Sequence, residues 1–217
     1  MPIMQCRAVL FDLDGVLVDS RRSIELIWHN WATSRGLDAR PFLEVAHGRR
    51  TSETLHLVAP HLDTAAEVAV LDRMEEIETR GLAAVPGAAA LLRRLTEQQW
   101  AVVTSGSSAV ARLRLATVSL PTPRVFITAE DVTRGKPDPA GYLMAAARLG
   151  HAPSDCIVLE DSPPGVAAGK AAGMRVIAVL TTHAAAQLEA ADARLAALSS
   201  LRIRPIAAGS ASLELSY

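Results

Sequence analysis

Ala8-Val9-Leu10-Phe11 is an unbroken apolar run, and Asp12-Leu13-Asp14-Gly15 follows it without a spacer. A short apolar run with no polar alternation fits a strand covered on both faces, as in a parallel sheet flanked by helices. Side chains alternate along an extended chain, so Asp12 and Asp14 are expected on one side and Leu13 on the other. Gly15 permits a sharp turn directly afterwards. The stretch therefore predicts two carboxylates at the carboxyl end of a buried strand, where open α/β sheets bind ligands. Two acids this close repel each other unless a cation lies nearby. Hard oxygen ligands with room left for phosphate and water suit Mg2+. An Asp-rich surface hairpin is the competing reading of these residues taken alone.

The rest of the chain can be asked whether it builds the sheet that this strand requires. Its 217 residues hold one sizeable domain, or one domain with a smaller insert. Residues 21–35 space Ile24, Ile27, Trp28 and Trp31 as a helix would. Residues 40–46 suggest a second helix opened by Pro41, Ser52 to Val58 a third and Thr64 to Arg80 a fourth. Residues 20–84 thus form a helical unit without strands. After Pro86-Gly87 the pattern alternates. Helices are expected over 88–99, 107–115, from Asp138-Pro139 to Gly150, and over 163–173. Strands are expected at 100–103, 125–127, 156–159 and 176–179. This alternation predicts a doubly wound parallel sheet. The small polar tail from Ala207 to Tyr217 is expected to be loose.

Chemistry in such a sheet gathers at strand carboxyl ends, and three further strands deliver suitable groups there. Thr104-Ser105-Gly106-Ser107 offers hydroxyls and free backbone amides at a helix start, a phosphate site, although an N-cap box has the same composition. Ser105 fits the phosphate role best, with Thr104 one residue away and Gly106 supplying an amide. Lys136, in Gly135-Lys136-Pro137, stands just before a helix. A cation there is unfavourable unless something anionic offsets it. It is one of only two lysines; the other twenty Lys and Arg residues are arginines. Glu160-Asp161-Ser162 closes the fourth strand.

These four segments, in this order, resemble the four motifs of the haloacid dehalogenase superfamily over residues 7–180. The resemblance implies a Rossmann-like core of residues 1–18 and 86–217, with a helical cap over 19–85. It implies catalytic Asp12 (nucleophile), Asp14 (general acid and base) and Lys136, with phosphate held by Ser105 or Thr104, Gly106 and Lys136. It further implies Mg2+ held by Asp12, Asp14 through its main-chain carbonyl, and Asp161, with Glu160 behind them.

Within the superfamily, Asp14 argues against a dehalogenase, and a cap without lysine argues against a phosphonatase. A β-phosphoglucomutase has a cap histidine where this register places Ile24. His47-Gly48-Arg49-Arg50-Thr51 resembles the His-Gly-x-Arg-Thr segment of the glycerol phosphate and 2-deoxyglucose-6-phosphate phosphatases. Arg50 or Thr51 is then expected to read the leaving group, unless the segment is a solvated loop. The expected function is Mg2+-dependent hydrolysis of a small sugar or polyol phosphate through an aspartyl-phosphate. Mutase chemistry and a non-catalytic binding module are the alternatives.

The net charge of −1 gives no case for nucleic acid or an anionic membrane as partner. Neither a signal peptide nor an apolar run of membrane-spanning length is visible, so a cytoplasmic protein is expected. Cys6 and Cys156 are expected to be free buried thiols. The oligomeric state is open, and a monomer is compatible with the sequence.

Overall fold

The computed structural model describes residues 2–62, 64–206 and 212–217. Its chain begins with strand β1 (Ile3–Cys6), and the apolar run Ala8–Phe11 follows as β2, buried at every position. Four more strands of the expected series are present: β5 (Trp100–Val103), β6 (Val125–Ile127), β7 (Cys156–Glu160) and β8 (Arg175–Val179). With β9 (Ala193–Leu195) they form a six-stranded sheet in the order β6-β5-β2-β7-β8-β9, parallel throughout.

Alternation along these strands fills two cores. Val9 and Phe11, with Trp100, Val102, Ile157 and Leu159, face helices α5 (Ala88–Leu92) and α6 (Ser108–Thr117). Ala8 and Leu10, with Ala101, Val103, Cys156 and Val158, face α7 (Ala140–Leu149) and α8 (Pro163–Ala171). A strand buried on both faces has no polar side to show, which is why these runs carry no alternation. Gly169 lets α8 lie against the sheet, because a Cβ there would meet the Val176 side chain at 2.7 Å.

Between β3 (Val18–Asp19) and β4 (Ala83–Ala84) the chain makes the expected helical insert. Its helices are α1 (Arg21–Ser34), α2 (Arg40–Ala46), α3 (Thr51–Val58) and α4 (Ala65–Glu75). They close over their own cluster of Ile27, Trp28, Trp31, Phe42, Leu55 and Leu71. Phe42 stacks on Trp28 at 5.2 Å between centroids and meets the edge of Trp31 at 5.3 Å. Such aromatic pairs contribute about 0.5–1.5 kcal/mol each beyond burial.

Several expectations need correction. The insert is not strand-free at its neck, since β3 pairs antiparallel with β4. The helix expected to reach Arg80 ends at Glu75, and the one expected to reach Gln99 ends at Leu92. Pro139 is the N-cap of α7 and not part of its first turn, and Asp138 Oδ1 accepts from Ala140 N at 3.0 Å. The tail is not loose over Leu213–Ser216. That segment is β11, paired with both β1 and β10 (Arg202–Pro205) in a second, antiparallel sheet, with Leu213 and Leu215 fully buried. Residues 207–211 lie outside the described residues. Cys6 and Cys156 are free and buried, as expected. Among the described residues, no helix is long and apolar enough to cross a membrane.

Candidate active site

From β2 the chain steps outward first to β5 and β6, then returns to β7 on the other side of β2. The reversal falls between β2 and β7, and ligands of open α/β sheets bind outside such a point. Here Asp12 leaves β2 with its amide donating to Leu159 O at 2.9 Å, so the first and fourth motifs sit side by side. Gly15, at φ +80°, is required at the turn that follows, because a Cβ would overlap the Asp161 carboxylate.

Lys136 enters this centre from the loop before α7. Its ammonium, in a residue only 6% exposed, donates to Asp12 Oδ1 at 2.6 Å and to Glu160 Oε1 at 2.5 Å. Glu160 is saturated. Oε1 also accepts from Tyr142 OH at 2.7 Å, and Oε2 accepts from Asp161 N, Ser162 N and Ser162 Oγ at 3.0–3.3 Å. The glutamate therefore orients the lysine and the following turn and keeps no lone pair to spare. Asp161 differs: Oδ2 accepts from Thr182 Oγ1 at 2.5 Å, while buried Oδ1 has no partner.

Burial, with repulsion by Glu160 and Asp14, raises the Asp12 carboxyl to about 7 despite the lysine beside it. Burial and the carboxylates of Asp12 and Glu160 push Asp161 well above the usual carboxylate range. Burial alone would lower the pKa of Lys136, but the same two acids outweigh it and keep the ammonium charged. One ammonium thus faces three carboxylates, Asp12, Glu160 and Asp161, whose oxygens lie within 4.8 Å of one another. The excess negative charge and the orphaned Asp161 Oδ1 fit a hard divalent cation.

Asp14 does not share this cluster through its carboxylate. Oδ2 pairs with Arg114 Nη1 at 2.5 Å, and Oδ1 is buried without a partner. Arg114 projects from α6, is 4% exposed, and reaches across to Glu75 Oε2 of α4 at 3.5 Å. Thr104, Ser105 and Gly106 follow β5 and line the same cleft. Ser105 Oγ donates to Gly48 O of the insert at 2.9 Å, and Thr104 Oγ1 accepts from Gly106 N at 3.1 Å.

Of the two insert residues expected to read the leaving group, Thr51 lines the cleft and Arg50 does not. Arg50 is turned onto the core, donating to the carbonyls of Ala129, Val132 and Thr133 at 2.7–3.2 Å in the loop that leads to Lys136. It is Arg49 that joins Thr51 in the cleft wall, and Thr51 Oγ1 donates to Glu75 Oε1 at 2.9 Å. Trp28, Ile24 and Thr54 also line this cleft, whose enclosed volume is about 50 Å³. Sequence reasoning missed Arg114, Glu75, Tyr142 and Thr182. None belongs to a motif, and Arg114 differs from the exposed Arg112 only in which side of α6 it occupies.

The sequence model of the haloacid dehalogenase-like hydrolases matches residues 6–173. Hexitol phosphatase A of Escherichia coli (strain K12) is 45% identical over 205 residues, covering 92% of this chain and 95% of its own. Glycerol-1-phosphate phosphohydrolase 2 of Saccharomyces cerevisiae is 36% identical over 197 residues, covering 82% and 76%. The crystal structure of a hydrolase from Pseudomonas syringae superposes with a TM-score of 0.79 at 23% identity, over 88% and 94% of the two chains. The chain belongs to the haloacid dehalogenase-like hydrolases. Within that family it is a phosphatase, as the resemblance of its four strand-end motifs implies.

Proposed function

We propose that the enzyme hydrolyses the phosphate monoester of a small sugar or polyol, with Mg2+ as cofactor and Asp12 as nucleophile. The observation that carries this reading is the buried Lys136 ammonium held between Asp12 and Glu160, beside the unpartnered Asp161 Oδ1. The lysine occupies one oxygen of Asp12 and leaves Oδ2 to attack phosphorus. The ester P–O bond breaks as the Asp12 O–P bond forms, and Asp14 gives its proton to the departing alkoxide. Asp14 then takes a proton from water, whose oxygen attacks the aspartyl-phosphate and frees inorganic phosphate and Asp12. Arg114 orients Asp14 for both proton transfers. Thr104 Oγ1, which accepts from Gly106 N, keeps its own proton to donate to a phosphoryl oxygen, and Ser105 Oγ donates there by turning from Gly48 O.

When bound by Asp12, Asp161 and the Asp14 main-chain carbonyl, Mg2+ supplies charge neutralisation at those oxygens. Most of a phosphatase's rate enhancement comes from such preorganised charge and positioning, since acid–base catalysis contributes only about 10²–10⁴-fold. The helical insert of residues 19–85 acts as a cap that excludes bulk water. Ile24 lines the cleft where the resemblance places a mutase histidine, which favours hydrolysis. The free thiols of Cys6 and Cys156 suit a cytoplasmic setting.

The test is a chelator titration and an acid quench. Chelation is expected to abolish turnover reversibly, and quenched turnover mixtures are expected to carry a phosphoryl group on the peptide containing Asp12. Full turnover in excess chelator, or a modified peptide elsewhere, contradicts the reading.

A further inference from the structure

Beyond the phosphoryl centre the cleft contains polar groups that the reaction does not use. Glu75 comes from the last turn of α4, and it takes one hydrogen bond from Thr51 Oγ1 and a long one, at 3.5 Å, from Arg114 Nη2. A carboxylate has about four lone-pair sites, so Glu75 keeps acceptor capacity. Arg114 spends its short contact, 2.5 Å, on Asp14. Its guanidinium therefore spaces two carboxylates along one wall of the cleft: Asp14 at the ester oxygen, and Glu75 one guanidinium width further out. A hydroxyl of the leaving alcohol that reaches this second carboxylate finds a free acceptor there. On α3, Thr54 is 1% exposed, lines the same cleft, and has no hydrogen-bond partner for Oγ1. A buried hydroxyl with no partner is costly, and in a cleft wall it calls for a polar ligand. Trp28, fixed by stacking on Phe42, offers an apolar surface suited to C–H groups.

Resting on the phosphatase reading above, we propose that Glu75, positioned by Arg114, and Thr54 bind the hydroxyl groups of the leaving alcohol and select neutral polyhydroxylated alcohols against carboxylate-bearing ones. The attraction is the spare acceptor capacity of Glu75 together with the unpartnered Thr54 Oγ1. The rejection is the second carboxylate, which a substrate carboxylate would have to face in a desolvated site. Sites built to bond a hydroxyl discriminate strongly, because the wrong substrate leaves their buried polar groups unpaired.

The experiment measures kcat/KM of the full-length enzyme with Mg2+ on a hexitol 6-phosphate, on phosphoglycolate and on p-nitrophenyl phosphate. The wild type is expected to favour the hexitol ester over phosphoglycolate by at least ten-fold. In Glu75→Gln the ratio of hexitol to aryl ester is expected to fall at least ten-fold, and the discrimination against phosphoglycolate to shrink. Thr54→Val, which removes a hydroxyl with no internal partner and keeps the side-chain shape, is expected to keep its melting temperature and lower the same ratio about five-fold. It tests the proposal even if Glu75→Gln folds poorly. A wild type that prefers phosphoglycolate, as recruitment by Arg49 would produce, overturns the proposal. So do variants that lose activity on all three esters alike, or that keep the wild-type ratio. A wild type inactive on every ester overturns instead the phosphatase reading beneath it.

Discussion

At the residue scale the centre is governed by Lys136, a single buried cation with short contacts to two acids and a third nearby. Asp12 and Asp14, two residues apart, face different partners, and their substitution is expected to separate accordingly. Asp12→Asn should remove essentially all turnover, because in the proposed route only Asp12 bonds to phosphorus. Asp14→Asn should lose about 10²–10⁴-fold in kcat while still binding inorganic phosphate, because it removes only proton transfer. Steady-state kinetics with a phosphate-binding measurement checks both, and near-normal turnover in Asp12→Asn would refute the covalent route. Asp12, Asp14 and Asp161 were open to sequence reading because they follow directly on the apolar runs of β2 and β7, whereas Lys136, nine residues past β6, was marked only by its motif and by the scarcity of lysine. Arg114, Glu75 and Tyr142 reach the site through helix packing. Their placement depends on crossing geometry that no local window encodes.

At the element scale the informative segment is the link between α2 and α3. The resemblance offered Arg50 or Thr51, within His47 to Thr51, as the reader of the leaving group, and the two side chains take different positions: Thr51 lines the cleft and Arg50 lies on the core. Arg50 clamps three carbonyls of the loop that delivers Lys136, so it ties the insert to the third motif. Arg50→Ala is expected to lower kcat/KM for sugar and aryl esters by a similar factor, since it disturbs the position of Lys136 and not the leaving-group wall. Arg50→Lys should not restore it, because one ammonium cannot copy a fork that reaches three carbonyls. A loss confined to one ester would return Arg50 to the substrate-reading role expected from sequence. The strands buried on both faces were legible for the same reason that β11 was not. Ala8–Phe11 is an apolar run, whereas Leu213–Ser216 alternates buried and half-buried positions in a tail whose composition is small and polar. Its two leucines pack into the core shared with Leu198, Leu201 and Ile203, while β1 and β10 pair with its backbone on either side.

At the scale of the whole molecule, the two sheet faces enclose both thiols. Burial raises Cys6 to about 12 and Cys156 to about 11. In the unfolded chain a thiol titrates near 8.5. Below that pH both states keep their protons and the thiols add no pH dependence. Above it the unfolded chain ionises while the native one does not, so stability falls with rising pH, by up to about 1.4 kcal/mol per unit for each thiol. Thermal unfolding between pH 8 and pH 10 checks the slope. A thiol reagent at pH 8 is expected to label neither cysteine in the native enzyme and both in denaturant. The β2–β7 pairing has a consequence for biosynthesis. Asp12, the proposed nucleophile, is made among the first residues, yet Lys136 lies 124 positions later and Glu160 and Asp161 later still. A ribosome must finish more than half of the chain before Lys136 arrives to pair with Asp12. Until then the helical insert can close on its local aromatic contacts, whereas the sheet must wait for its central long-range pair. Synthesis arrested before Glu160 therefore yields a chain with a formed insert and no catalytic centre.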